Sequence, residues 1–366
     1  MRIKHLIGVL VLVSLVAALV AAPSARQTQA QDVVTVKFGN LPYLDYSPWA
    51  LAEELGYLEE EGIKLDPYMF EVEQPMVEAL IGGSIDVGAG SDTPFIILAA
   101  AAPELRLVSV HVIFTGYSIM GRPDEVKTYD QFVAEGMTHE EAVKAAAAQL
   151  EGKTIILPGG ASFTPVLDTA LGYAGLTRDD VEIIDIDPVE GAAAFIQGTA
   201  DFYSDGLPQR FRLEQEGMVN VLTGVQLAGG AMVFAGLYTT DEYLADHPEV
   251  IEGMLRAWYR TMDYLRANPD EALPVMVDWI NEQSGAGFTV EDAKRFTQDL
   301  VLFPTYEEVR DEYMYNPESP FYWEKRLQFV VDYFGETEGL DTTAIDLKTL
   351  VPAPDIFPNV EPPAAE

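Results

Sequence analysis

The sequence predicts an α/β protein of two similarly built lobes with a groove between them, and three observations carry that prediction. The segment Ala79-Leu80-Ile81-Gly82-Gly83-Ser84-Ile85-Asp86-Val87 returns as Ala194-Phe195-Ile196-Gln197-Gly198-Thr199-Ala200-Asp201-Phe202. Ahead of each copy stands a β-rich run, Val34 to Phe38 or Thr154 to Leu157, then a helical stretch ending in Gly56-Tyr57 or Gly172-Tyr173. The offsets are nearly constant, 116 from Gly56 to Gly172 and 115 from Gly83 to Gly198. Such self-similarity is the mark of one supersecondary plan used twice.

The elements follow in order. Arg2 and Lys4 precede an uncharged run of 17 residues from Leu6 to Ala22, and Thr28-Gln29-Ala30 resembles a small-residue cleavage site, so residues 1–30 read as an export signal or, given the run's length, an uncleaved anchor. Val33 to Phe38 is the first strand, and Ser47 with Pro48 is expected to cap the first helix. Ile63 to Phe70 is the second strand, Gln74 to Ile81 a helix, Ile85 to Gly88 the third strand, with an Ala-rich helix reaching about Ala102. Leu105 to Ile113 and Tyr117 to Met120 read as extended, and residues 124–150 as a helical insertion with a capping box at Thr138-His139-Glu140-Glu141.

The second lobe is expected to span 119–231, with strands at Thr154 to Leu157 and Val181 to Ile186 and a helix opening at Ser162. The first lobe would then comprise 31–118 and 232–350, closed by helices Pro248 to Ala267, Pro269 to Glu282, Thr289 to Val301 and Phe321 to Phe334. Two crossovers between lobes make a hinge. Leu255, Trp258, Tyr259, Met262 and Leu265 recur at helical spacing and read as a core stripe. Residues 351–366 carry five prolines and read as a loose tail.

A formal net charge of −37 argues against nucleic acid as a partner, since such a surface repels phosphates. No cysteine is present, which removes disulfides, thiol chemistry and a lipid anchor at the signal. His111, His139 and His247 are scattered and lack the partners of a catalytic or metal site, so no catalytic residue, metal or cofactor is expected.

Candidate ligand contacts lie in loops that leave strands toward the groove. Gly159-Gly160-Ala161-Ser162-Phe163-Thr164-Pro165 opens a helix whose free N–H groups and hydroxyls suit an oxyanion, although Ser162 could equally cap its helix. Asp45, Asp92 and Asp205 each follow a strand; they could hold an amine, or serve as ordinary caps and turns. Tyr43 and Tyr46 could stack on a flat ligand or pack the rim, whereas Asp86 and Asp201 read as strand-end residues.

Taken together, Ala52-Glu53-Glu54-Leu55-Gly56-Tyr57-Leu58 through Gly62-Ile63, Gly83-Ser84-Ile85-Asp86-Val87, Leu150-Glu151-Gly152-Lys153-Thr154-Ile155 and Gly198-Thr199-Ala200-Asp201 resemble the solute-binding proteins of ABC importers in the nitrate, sulfonate, taurine and thiamine-pyrimidine-precursor family. The resemblance spans about Val34 to Met262. It implies a periplasmic-binding-protein-like type II fold whose C-terminal helices rejoin the first lobe. It also implies an exported, non-catalytic monomer that passes a small solute to an ABC permease. The family's ligand loops fall here on Tyr43, Asp45 and Tyr46; on Ser91, Asp92 and Thr93; and on Ser162, Phe163 and Thr164, with Asp205 facing them. A sulfonate or taurine-like zwitterion is the favoured solute, a pyrimidine or other heterocycle the alternative. A pyrimidine-forming synthase of similar fold is disfavoured by the export signal and the missing cysteines.

Overall fold

The computed structural model describes residues 33–158, 163–227, 231–319 and 321–362. Among them the strands in chain order are β1 (Val34–Asn40), β2 (Ile63–Met69), β3 (Val87–Ser91), β4 (Leu105–Leu107), β5 (Val112–Phe114), β6 (Ser118–Gly121), β7 (Thr154–Ile156), β8 (Glu182–Ile184), β9 (Phe202–Asp205), β10 (Val219–Thr223), β11 (Val233–Thr240) and β12 (Val301–Leu302). They form two sheets, ordered β12-β5-β11-β3-β1-β2 with β4 also on β11, and β10-β6-β9-β7-β8. The chain leaves the first sheet after Phe114 and re-enters it at Val233. These sheets are the cores of two α/β lobes.

The repeat is visible as topology. In the first lobe β1 pairs parallel with β2 and β3, and the antiparallel β11 follows β3; in the second, β7 pairs parallel with β8 and β9, and the antiparallel β6 follows β9. The two aspartates of the repeated segment do the same work in each. Asp86 accepts from the Lys37 N–H at 2.9 Å while its own N–H donates to the Lys37 carbonyl; Asp201 accepts from the Thr154 N–H at 3.0 Å and donates to the Thr154 carbonyl. Each thus satisfies the central strand just ahead of β3 or β9, where backbone groups would otherwise lose partners. Gly83 and Gly198 turn the chain into it at φ of 68° and 88°, a region costly for any residue with a Cβ.

Gly172-Tyr173 does not end a helix: both lie inside Thr164–Ala174, and the left-handed residue that stops it is Gly175, φ 74°. The positional match to Gly56, itself at φ 73°, therefore belongs to Gly175. Ser47 likewise departs from its expected capping role. A short 3-10 turn, Leu44–Tyr46, precedes the helix Pro48–Glu54, and the Ser47 hydroxyl donates backward to the Leu44 carbonyl at 2.6 Å. Pro48 does occupy the first turn. The capping boxes at Thr138/Glu141 and Thr289/Asp292 form as their sequences require.

The C-terminal helices pack on the first lobe. Helix Pro248–Ala267 buries Leu255, Trp258, Tyr259, Met262 and Leu265, the expected core stripe, and packs against Pro48–Glu54; Trp323–Thr337 packs against Asp92–Ala99. Residues 351–360 are not a loose tail. Val351, Ala353, Phe357 and Val360 are buried, and the Phe357 ring stacks on Tyr306 at 4.6 Å, 3° from parallel. Here prolines punctuate short turns, Ala353–Ile356 and Phe357–Asn359, while the apolar residues between them find a core.

Candidate functional site

A cleft of about 890 Å³, open part included, lies between the lobes. The first lobe contributes Tyr43, Asp45 and Tyr46 from the turn after β1, Glu73 and Gln74 from the start of helix Glu73–Ile81, Ser91 at the end of β3, and Pro94, Ile97 and Leu98 from helix Asp92–Ala99. Phe163 and the Asp205-Gly206-Leu207 corner face them from the second lobe; Phe114 and Tyr117 flank the crossover. Ligands of open α/β sheets bind at such strand-end loops because several converge there without a sheet between them.

The aromatic residues form a connected wall. Tyr117 meets Phe114 edge-on at 4.7 Å and Phe163 at 5.4 Å, and Tyr43 lies 6.4 Å from Tyr46. Gly206 permits this packing, since a Cβ there would come within 2.9 Å of the Phe114 ring.

The polar groups are mainly acids. Asp45 is buried, and burial, opposed by its own backbone N–H and reinforced by Glu73, pushes its carboxyl up to about 7. Burial does the same to Asp205, also to about 7, although the Tyr203 hydroxyl donates to one oxygen and the Gly206 N–H to the other at 2.6 Å. Glu73 is raised by burial against a hydrogen bond from the Ser91 hydroxyl at 2.8 Å. The Ser91 carbonyl in turn accepts from the Tyr238 hydroxyl.

Tyr43, Asp45, Tyr46, Ser91, Phe163 and Asp205 are therefore brought together by the fold. Asp92 and Thr93 are not in the cleft wall. The Arg326 guanidinium donates to both Asp92 oxygens, at 2.7 and 3.1 Å, and to the Thr93 hydroxyl at 3.1 Å, while the Phe234 N–H donates to Asp92. A carboxylate this deep needs a cation, and the helix Trp323–Thr337, 234 residues away in sequence, brings it. Thr164 begins helix Thr164–Ala174 outside the cleft wall, and Ser162 lies outside the described residues. Glu73, Gln74, Phe114, Tyr117 and Leu207 were not anticipated; the signal available was position, since each borders a strand end or a crossover. His111 is enclosed between Trp49 and Trp258 beside the Ser109 hydroxyl at 2.8 Å, and burial holds its ring down at about 3. Among the described residues no cluster of His, Asp and Glu is placed to hold a metal ion.

The lobes also touch through a polar clasp. Arg178 of the second lobe donates to Asp168 at 2.7 and 2.6 Å, reaches Glu338 at 2.5 Å, and donates to the Tyr333 hydroxyl at 3.1 Å; Tyr333 also donates to Asp168. Tyr333 and Glu338 end the helix that packs on the first lobe. The clasp is partly exposed, so its worth is about 1 kcal/mol after solvent screening. Arg178→Ala is expected to shift the lobes toward open forms, read as an increased radius of gyration in solution scattering.

Two α/β lobes joined by paired crossovers around a polar-and-aromatic cleft form a periplasmic-binding-protein fold. The family model described as NMT1/THI5 like matches residues 126–272, in line with the resemblance read from the sequence. Relatives include a Brachyspira hyodysenteriae protein bearing the name ABC transporter periplasmic binding protein, 24% identical over 311 residues (82% of this chain, 85% of the relative). The formylaminopyrimidine-binding protein of Halalkalibacterium halodurans is 25% identical over 311 residues (81% and 82%). Among solved structures, the periplasmic aliphatic sulphonate binding protein SsuA from Escherichia coli shares the fold, with TM-score 0.64, 20% identity, and coverage of 86% of this chain and 91% of that one.

Proposed function

We propose that this protein is exported and, as a monomer without a cofactor, captures a small, flat heterocyclic solute between its lobes for an ABC permease. One observation carries the solute class: the rings of Tyr43, Tyr46, Tyr117 and Phe163 line the same cleft as Asp45, Glu73 and Asp205. Rings accept a planar face, and carboxylates accept ring N–H and amino hydrogens. A formylaminopyrimidine-binding relative supports this reading over the sulfonate or taurine-like zwitterion. The zwitterion's acid end would fall to the stretch around Ser162, outside the described residues. Walls from both lobes complete their contacts only when the lobes are shut, so the solute stabilises the closed population.

Mass spectrometry of small molecules released from protein purified without denaturant, followed by thermal shift, tests the reading. Aminopyrimidines are expected to raise the melting temperature, because saturation at a hundredfold excess over Kd adds about 2.7 kcal/mol. A shift with taurine or an alkanesulfonate and none with any heterocycle would reverse the choice of solute.

A further inference from the structure

The charges of the cleft do not balance. Asp45 and Asp205 are 7% and 3% exposed, and Glu73 stands with them, yet among the described residues the lining contains no Lys, Arg or His. Nearby buried cations are committed elsewhere: Arg326 to Asp92, and Arg210 to Glu214 and the Gly116 carbonyl. Elsewhere in this fold a buried acid has its cation, as Asp92 does. Ionised carboxylates gathered out of water without a counter-charge are costly, and a cation that enters the cleft would relieve that cost. The aromatic wall acts in the same direction, because ring faces attract positive charge.

We infer that the solute is bound as an organic cation, an aromatic or heteroaromatic ring bearing an ammonium or amidinium group, with Asp45 and Glu73 as its counter-charges. The inference rests on the receptor reading above and sharpens its solute class. Asp205 already accepts hydrogen bonds on both oxygens, so it acts mainly through its field. Asp45 accepts no side-chain hydrogen bond among the described residues beyond its own turn and is the acid best placed to take a donor.

Three probes of one shape and different charge test this: benzylammonium, benzyl alcohol and benzenesulfonate, titrated calorimetrically into the full mature chain at about pH 8, above the value of about 7 for Asp45 and Asp205 and with the amine mostly protonated. Benzylammonium is expected to bind at least about tenfold more tightly than benzyl alcohol, with benzenesulfonate weakest. Asp45→Asn should narrow the cation-to-alcohol ratio; Glu73→Gln serves as a second variant should the first fail to fold. Equal or tighter binding of the alcohol or the sulfonate would overturn the charge assignment and leave the receptor standing. Failure of all three, with no solute recovered from the purified protein, would overturn both.

Discussion

Replacing Arg326 with methionine is expected to cost about 3–5 kcal/mol of stability, the usual penalty for leaving a buried carboxylate without its cation. Arg326 and Asp92 are both buried and meet at 2.7 and 3.1 Å. Arg326 rides on helix Trp323–Thr337, whereas Asp92 begins the helix whose Pro94, Ile97 and Leu98 line the cleft. Asp92 also accepts the Phe234 N–H, so it ties β11 to that helix start. Breaking the pair should therefore unfold the first lobe's C-terminal packing before the second lobe. Urea unfolding of Arg326→Met gives the magnitude. The double replacement Asp92→Leu with Arg326→Met should recover part of the loss, because an apolar pair of similar volume avoids burying any charge. Equal loss in single and double variants would show that packing volume, not charge, is what Arg326 contributes.

The second large effect is on pH. Asp45 and Asp205 ionise near 4 in an unfolded chain and near 7 in the fold, because burial disfavours the charged form. Between those values the folded state holds more protons than the unfolded one, so stability must fall as pH rises. The contribution is complete below about pH 4 and lost by the time pH passes 7. Each carboxyl supplies on the order of a few kcal/mol over that window. Exposed acids such as Glu141, Asp270 and Asp311 have lowered values and act oppositely below about pH 4, so the ligand-free protein is expected to melt highest at about pH 4 to 5. Asp45→Asn and Asp205→Asn should each flatten the decline between pH 5 and 8 in melting curves. An unchanged slope in both would mean that neither carboxyl is protonated in the empty cleft.

Much of the framework is legible in the residues because it depends on local or periodic rules. The repeat that pairs Asp86 with Asp201 fixes two strand ends through backbone bonds, and both are equivalent in the fold. The helix Pro248–Ala267 follows from an apolar stripe whose spacing no other element could use. Thr138 and Thr289 cap helices because a hydroxyl and an acid three residues apart satisfy free N–H groups in place. Gly172 misleads for the same reason of locality: glycine tolerates both helical and left-handed backbone, and only the terminating turn shows that Gly175 is the stop.

The sequence by itself determined the two-lobe α/β plan, the strand-end loops that meet at the cleft, and the placement there of Tyr43, Asp45, Tyr46 and Asp205, with Ser91 and Phe163 added by the family resemblance. Tertiary structure alone decided which acids remain available. Asp92 is neutralised by a residue 234 positions away, while Glu73, unremarkable in the sequence, joins Asp45 in the cleft without a cation. Tertiary structure also folded Phe357 against Tyr306 where proline content suggested a tail. The physical reason is common to both. Charge pairing and burial depend on distance through space, and hydrogen-bonded caps and helical stripes on distance along the chain.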